Sequence, residues 1–114
     1  MYTKVSKYRA RYVDVDNIRF DSRKEANKYN ELKLLKMAGE ILDFELQPEF
    51  ELQPAFRDKR GKLIKPIKYR ADFKVIYKDK SVVYIDTKGF ETEVFKLKAK
   101  MLKFKYPDIN FVVE

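Results

Sequence analysis

Apolar residues recur along this chain with two different periods, and the points where the period changes divide it into elements. From Tyr2 to Phe20, Tyr and Val alternate with Lys and Arg around Asp16-Asn17, a favoured turn pair, so a β-hairpin or a basic arm is expected. From Ser22 to about Ala38 the period becomes helical, with Ala26, Tyr29, Leu32, Leu34 and Leu35 on one apolar side and Gly39 as the stop. Between Leu42 and Phe56 apolar residues occupy every second position (Leu42, Phe44, Leu46, Phe50, Leu52, Phe56), the pattern of a strand with one buried face. Pro48 and Pro54 share that phase and belong at bends or edges, because proline has no amide to give a ladder. The stretch from Arg57 to Lys65, with six charged residues around Gly61, reads as a loop.

Two more strands are expected over Lys68 to Tyr77 and Val82 to Lys88, joined by the polar turn Lys78-Asp79-Lys80-Ser81 into an antiparallel hairpin. Gly89 closes it. A second helix runs from about Thr92 to Lys105 with Val94, Leu97, Met101 and Phe104 on one side, Pro107 stops it, and Ile109 to Val113 forms a last short strand. The order of helix, three strands, helix and strand (αβββαβ) after an N-terminal hairpin or arm implies an α/β fold, a mixed β-sheet flanked by helices. A length of 114 residues fits one domain over 1–114, with residues 1–20 as the hairpin or arm and 21–114 as the core.

Composition narrows the chemistry. Hydrophobic residues make up 45% of the chain, enough for a packed core, and 26 Lys and Arg against 18 Asp and Glu leave +8, a field that attracts polyanions. Nucleic acid is the expected partner. No run of apolar residues is long enough for a membrane span and none resembles a signal peptide, so a soluble, cytoplasmic protein is expected. There is no cysteine and no histidine, which excludes disulfides, thiolate nucleophiles, imidazole bases and ordinary zinc sites. Hydrolysis here would have to run on carboxylates, lysine and a hard cation.

The expected hairpin assembles such a set. A turn centred between Asp79 and Lys80 puts Asp72 almost opposite Asp86, and the strand period puts Lys88 on the same face as Asp86. Facing carboxylates destabilise a hairpin, a cost that a divalent cation removes. Mg²⁺ takes oxygen ligands, so Asp72 and Asp86 would hold it with the Thr87 carbonyl as a third ligand, while Lys88 orients water or stabilises developing charge. The plain alternative is ion pairing of the two aspartates with Lys74 or Lys88 on a solvated face. Gln47 or Gln53, on a strand before the hairpin, is a further candidate for the site or for DNA. Lys96, Lys100 and Lys103 form a basic stripe on the second helix, either solvated or a track for phosphates. Arg9 and Arg11, set among tyrosines, are either a DNA-contacting arm or a basic strand.

Arg70-Ala71-Asp72 followed by Ile85-Asp86-Thr87-Lys88-Gly89 resembles the PD-(D/E)XK nuclease superfamily, with Ala71 in place of the proline and Asp86 in place of the commoner glutamate. The resemblance implies a restriction-endonuclease-like core and a site in which Glu25, on the first helix, joins Asp72, Asp86 and Thr87 around Mg²⁺ or Mn²⁺. Glu25 also completes a capping box begun by Ser22, which by itself would account for it. More closely, the run from Tyr8 to Phe104 is similar to a phage-encoded family associated with Holliday-junction resolution. That likeness implies an endonuclease acting on branched, four-way DNA in a host cytoplasm, and two symmetric cuts by one small domain imply a homodimer. The alternatives are a non-catalytic basic DNA-binding module, or a nuclease of the same fold acting on flaps, linear ends or transposon ends.

Overall fold

The computed structural model describes residues 11–114, so the expectations for Arg9 and the cations before it lie outside the described residues. The chain divides into two compact units, Met1–Glu40 and Ile41–Glu114.

In the first unit, strands β1 (Val13–Val15) and β2 (Ile18–Phe20) form an antiparallel hairpin in which Val15 faces Ile18. Asp16 and Asn17 turn it with φ of 53° and 63°, the left-handed values that a two-residue turn matching strand twist requires. Helix α1 (Arg23–Met37) starts at Ser22, whose hydroxyl accepts from the Glu25 amide at 3.1 Å. It ends at Gly39, which takes φ 78°, a conformation that costs a residue without Cβ nothing. Phe20, Ala26, Tyr29 and Leu32 are buried, and the Phe20 and Tyr29 rings sit 4.9 Å apart. Leu34, expected on the same side, is exposed, because at about 100° per residue it points some 200° away from Leu32.

In the second unit, β3 (Ile41–Leu46), β8 (Phe73–Tyr77), β9 (Val82–Asp86) and β10 (Phe111–Val113) form a four-stranded sheet in the order β10-β9-β8-β3. β3, β8 and β9 are antiparallel neighbours, while β10 runs parallel to β9. The sheet is therefore mixed, and helix α2 (Glu93–Lys105) supplies the crossover that parallel neighbours need. With its two helices the protein is α/β, as the order of elements implied.

Each of the first two expected strands is interrupted. The chain from Ile41 to Arg57 breaks into β3, β4 (Glu49–Gln53) and β5 (Phe56–Arg57), at Gln47-Pro48 and again at Pro54. The returning chain breaks in step into β6 (Leu63–Ile64), β7 (Ile67–Arg70) and β8. Pairing continues through the first break, where the Gln47 amide donates to the Asp72 carbonyl at 2.9 Å and the Ala71 amide to the Pro48 carbonyl at 3.0 Å. The result is one long antiparallel ribbon, bent where Gln47 adopts φ 53°. Of the stretch from Arg57 to Lys65, expected as a loop, residues 58–62 form the turn as expected, while Arg57, Leu63 and Ile64 pair in β5 and β6 and close the ribbon's far end. A register shift between Ile41 and Asp43 also buries Ile41 and exposes Leu42, the reverse of the expected phase, since a bulge flips every side chain before it.

Helix α2, started by Thr92 accepting from the Phe95 amide at 3.1 Å, buries Phe95, Ala99 and Leu102 against Leu52, Tyr69 and Ala71. This corrects the expected face. Val94, Leu97 and Phe104 are exposed, Phe104 at 88%, and of that set only Met101 packs at the edge of the core. Both stripes have helical spacing, so periodicity cannot choose between them. Packing does: Phe95 meets the Tyr69 ring at 6.1 Å and the Phe111 ring at 6.5 Å, and small Ala99 lets the helix approach.

Candidate active site

The bend in the ribbon builds the site. Phe73 faces Ile85 across β8 and β9, and one residue further on the Asp72 amide donates to the Ile85 carbonyl at 3.0 Å. That register sets Asp72, in the break between β7 and β8, beside Asp86 at the end of β9. Asp72 is held firmly, because its Oδ2 accepts from both the Thr87 amide (2.7 Å) and the Thr87 hydroxyl (2.8 Å). Asp86 is fixed from its backbone side as well, where its carbonyl accepts from the Glu114 amide at 2.8 Å.

Asp86 is 1% exposed, rare for a carboxylate. Its Oδ2 accepts from the Tyr69 hydroxyl. Its Oδ1 is buried without a hydrogen bond and faces the Lys88 ammonium at 3.5 Å, an ion pair by distance that does not replace the missing bond. Burial pushes the Asp86 carboxyl above the ordinary carboxylate range, and the nearby Asp72, through its charge and a side-chain contact, pushes the same way. Tyr69 and Lys88 oppose that shift. Tyr69 is itself pushed up, by its burial first and then by its bond to Asp86, so it stays a protonated donor.

Lys88 stands with its ammonium 4.8 Å from the centre of the Phe95 ring, a second contact that holds the cation beside Asp86. Of the plain alternative, the ion pair between Asp86 and Lys88 is present at 3.5 Å, but Asp86 is buried and not on a solvated face. Lys74 lies 3.8 Å from Glu45 rather than with either aspartate. Tyr69 was not among the expected site residues. Its signal was present, because it shares the alternating phase of Ile67, Ala71, Phe73 and Val75, and a tyrosine in a buried phase needs a partner for its hydroxyl.

The remaining candidates are distributed as follows. Glu25 is buried in the first unit, and its carboxylate accepts from the Asp21 amide at 3.2 Å, the return contact of a capping arrangement shifted by one residue. Gln47 is exposed, with its backbone bonded across the bend to Asp72. Lys96, Lys100 and Lys103 line one shallow depression of α2 with Phe95 and Ala99 between them, a single basic stripe as the spacing implied. Lys96 also lies 3.3 Å from Glu93. Arg11 is exposed.

The donor set suits a hard divalent cation, since it offers two neighbouring carboxylates, Asp72 from the break before β8 and Asp86 from the end of β9, and a buried carboxylate oxygen without a hydrogen bond. Among the described residues no three carboxylates gather at one point. Removing the Tyr69 hydroxyl removes a contact that favours the charged form of Asp86. Tyr69→Phe is therefore expected to move the acid limb of Mn²⁺ binding, followed by titration calorimetry against pH, to higher pH; an unmoved limb would show that Tyr69 does not set the charge of Asp86.

Comparison with curated proteins and with solved structures finds no match. A family model described as "Protein of unknown function (DUF1064)" matches residues 5–113, nearly the whole chain. The chain belongs to that family.

Proposed function

We propose that this protein is a metal-dependent endonuclease of the PD-(D/E)XK kind, with a restriction-endonuclease-like core, acting on branched DNA as a phage Holliday-junction resolvase. The observation that carries the reading is the buried Asp86 oxygen without a hydrogen bond, set between Asp72 and Lys88. A chain that buries a carboxylate beside a second one accepts a cost on the order of several kcal/mol unless a cation offsets it.

Mg²⁺ or Mn²⁺ held by Asp72, Asp86 and the Thr87 carbonyl supplies Lewis acidity at a phosphodiester. Thr87 keeps Asp72 in place through two hydrogen bonds, and Tyr69 keeps Asp86 in place through one. Lys88, its ammonium beside Asp86, orients the attacking water or stabilises charge developing on the phosphate. Lys96, Lys100 and Lys103 follow the DNA backbone, contacts that position a duplex without reading its sequence. Symmetric cutting of a four-way junction requires two copies of the chain, so a homodimer is part of the proposal.

The test is divalent-metal-dependent nicking of a synthetic four-way junction, a flap and a linear duplex. The expected result is preference for the junction, with cutting lost in Asp72→Asn and Lys88→Ala while binding survives. Equal cutting by both variants would sink the site. A second reading, a non-catalytic basic DNA-binding module, is favoured by the lack of a third converging carboxylate among the described residues. It is the outcome if the wild type binds all three substrates and cuts none.

A further inference from the structure

The far end of the bent ribbon is a hairpin with no core of its own. β5 and β6 pair through Phe56 with Ile64 and Arg57 with Leu63, and Phe56 and Leu63 are both exposed. Between Arg57 and Lys65 lie five cations, Arg57, Lys59, Arg60, Lys62 and Lys65, and one acid, Asp58. The acid is turned toward the backbone, where its Oδ1 accepts from the Arg60 and Lys62 amides, each at 2.9 Å. The Asp58 amide donates to the Lys62 carbonyl, the Gly61 amide to the Asp58 carbonyl, and the Arg57 guanidinium to the Gly61 carbonyl, all at 2.9 Å. Gly61 closes the turn at φ 82°.

The consequence is an ordered tip whose only carboxylate is occupied by amides. Among the described residues, Lys59, Arg60, Lys62 and Lys65 form no ion pair, and all four are exposed. Like charges so close repel, and nothing apolar is buried there to offset the repulsion. A polyanion offsets it directly.

We infer that the β5–β6 hairpin is a finger that grips the phosphates of a nucleic-acid duplex away from the carboxylate pair. From Asp72 to Arg60 the returning chain spans twelve residues, at most about 40 Å at some 3.3 Å per residue, and less after its bends. That reach is comparable to one turn of B-DNA, about 34 Å. The finger therefore contacts a duplex up to about one turn from the carboxylates and lengthens the footprint beyond the α2 stripe. An anionic membrane is the competing partner; the tip residues between the strands, Asp58 to Lys62, include no apolar side chain to insert into one.

The inference deepens the proposed DNA reading but does not depend on cutting, so it is tested in EDTA. Binding of a labelled 30-base-pair duplex is followed by fluorescence anisotropy across a salt series, for the wild type and for the triple variant Lys59→Gln, Arg60→Gln, Lys62→Gln. Each lost phosphate contact lowers the slope of log affinity against log salt by about 0.9, so a fall of roughly 2 to 3 is expected, with affinity at least about tenfold weaker near 0.1 M salt. Lys59→Arg with Lys62→Arg should keep the wild-type slope, and thermal melting should show the triple variant folded. A wild-type slope in the folded triple variant overturns the finger and leaves the nuclease reading standing. A reduced slope in a protein that never cuts does the opposite. Failure of the wild type to bind duplex, or binding only to phosphatidylserine vesicles, also overturns it.

Discussion

Asp86→Asn should melt at a higher temperature than the wild type while losing metal-dependent cutting. The substitution removes a buried charge but keeps an oxygen to accept from Tyr69, and its new amide hydrogens face the Asp72 carboxylate. A third of the Lys88 side chain is exposed, so its ammonium keeps access to water when Asp86 loses its charge. The gain is about 1–2 kcal/mol, the scale of one buried polar group left without its bonds. In a domain of this size each kcal/mol moves the melting temperature by about 4–8 °C, so the increase is readily measured without added metal.

The gain must also depend on pH. Burial holds the folded-state pKa of Asp86 above its unfolded value of about 3.9, so the native state binds this proton more tightly than the unfolded state does. The destabilisation by Asp86 is therefore absent below about pH 3.9 and grows as pH rises through the folded-state value. The advantage of Asp86→Asn should be largest at neutral pH and vanish toward pH 4. On the proposed nuclease reading, cutting should fall by about a thousandfold or more, because the variant loses one of the two carboxylates that would hold the cation. A variant less stable than the wild type at pH 7 would show that the carboxylate is not under strain, and would remove the main support for a cation there. Stability won at the expense of activity is the usual mark of a functional site.

The second large effect tests which side of α2 faces the sheet. Leu102→Ala should cost about 2–5 kcal/mol, because Leu102 is 0% exposed within the cluster of Leu52, Tyr69, Ala71, Phe95 and Ala99. That is a large share of the roughly 5–15 kcal/mol that holds a small domain together, so the variant should be partly unfolded in moderate urea. Phe104→Ala, two residues along the same helix and a larger truncation, should change stability by no more than about 0.5 kcal/mol. Urea unfolding of the two variants side by side settles the matter. If Phe104→Ala were the more damaging, the face expected from periodicity would be the true one.

The two variants mark where local pattern stops being informative. The helical spacing of Val94, Leu97, Met101 and Phe104 is a correct feature of α2, yet it describes the stripe beside the buried one. Spacing gives the period of a helix; the phase that turns inward depends on what waits on the other side, here the rings of Tyr69 and Phe111. Ile41 and Leu42 exchanged places for a related reason, since a bulge is a property of two strands together and leaves no mark on one.

What the amino-acid sequence determined by itself was the local chemistry: the turn at Asp16-Asn17, the start of α1 at Ser22, the α/β order of elements, and the approach of Asp72 to Asp86 with Lys88 alongside. Each follows from neighbours a few residues apart or from a single tight turn, whose length sets which residues meet. Pro48 and Pro54 marked the interruptions of the ribbon in advance, but tertiary structure alone decided that pairing continues across the first of them, and that Asp86 is buried beneath Tyr69. It also decided which stripe of α2 became core. Those features depend on residues distant in the chain competing for the same space, and burial, unlike hydropathy, belongs to no residue until its neighbours have arrived.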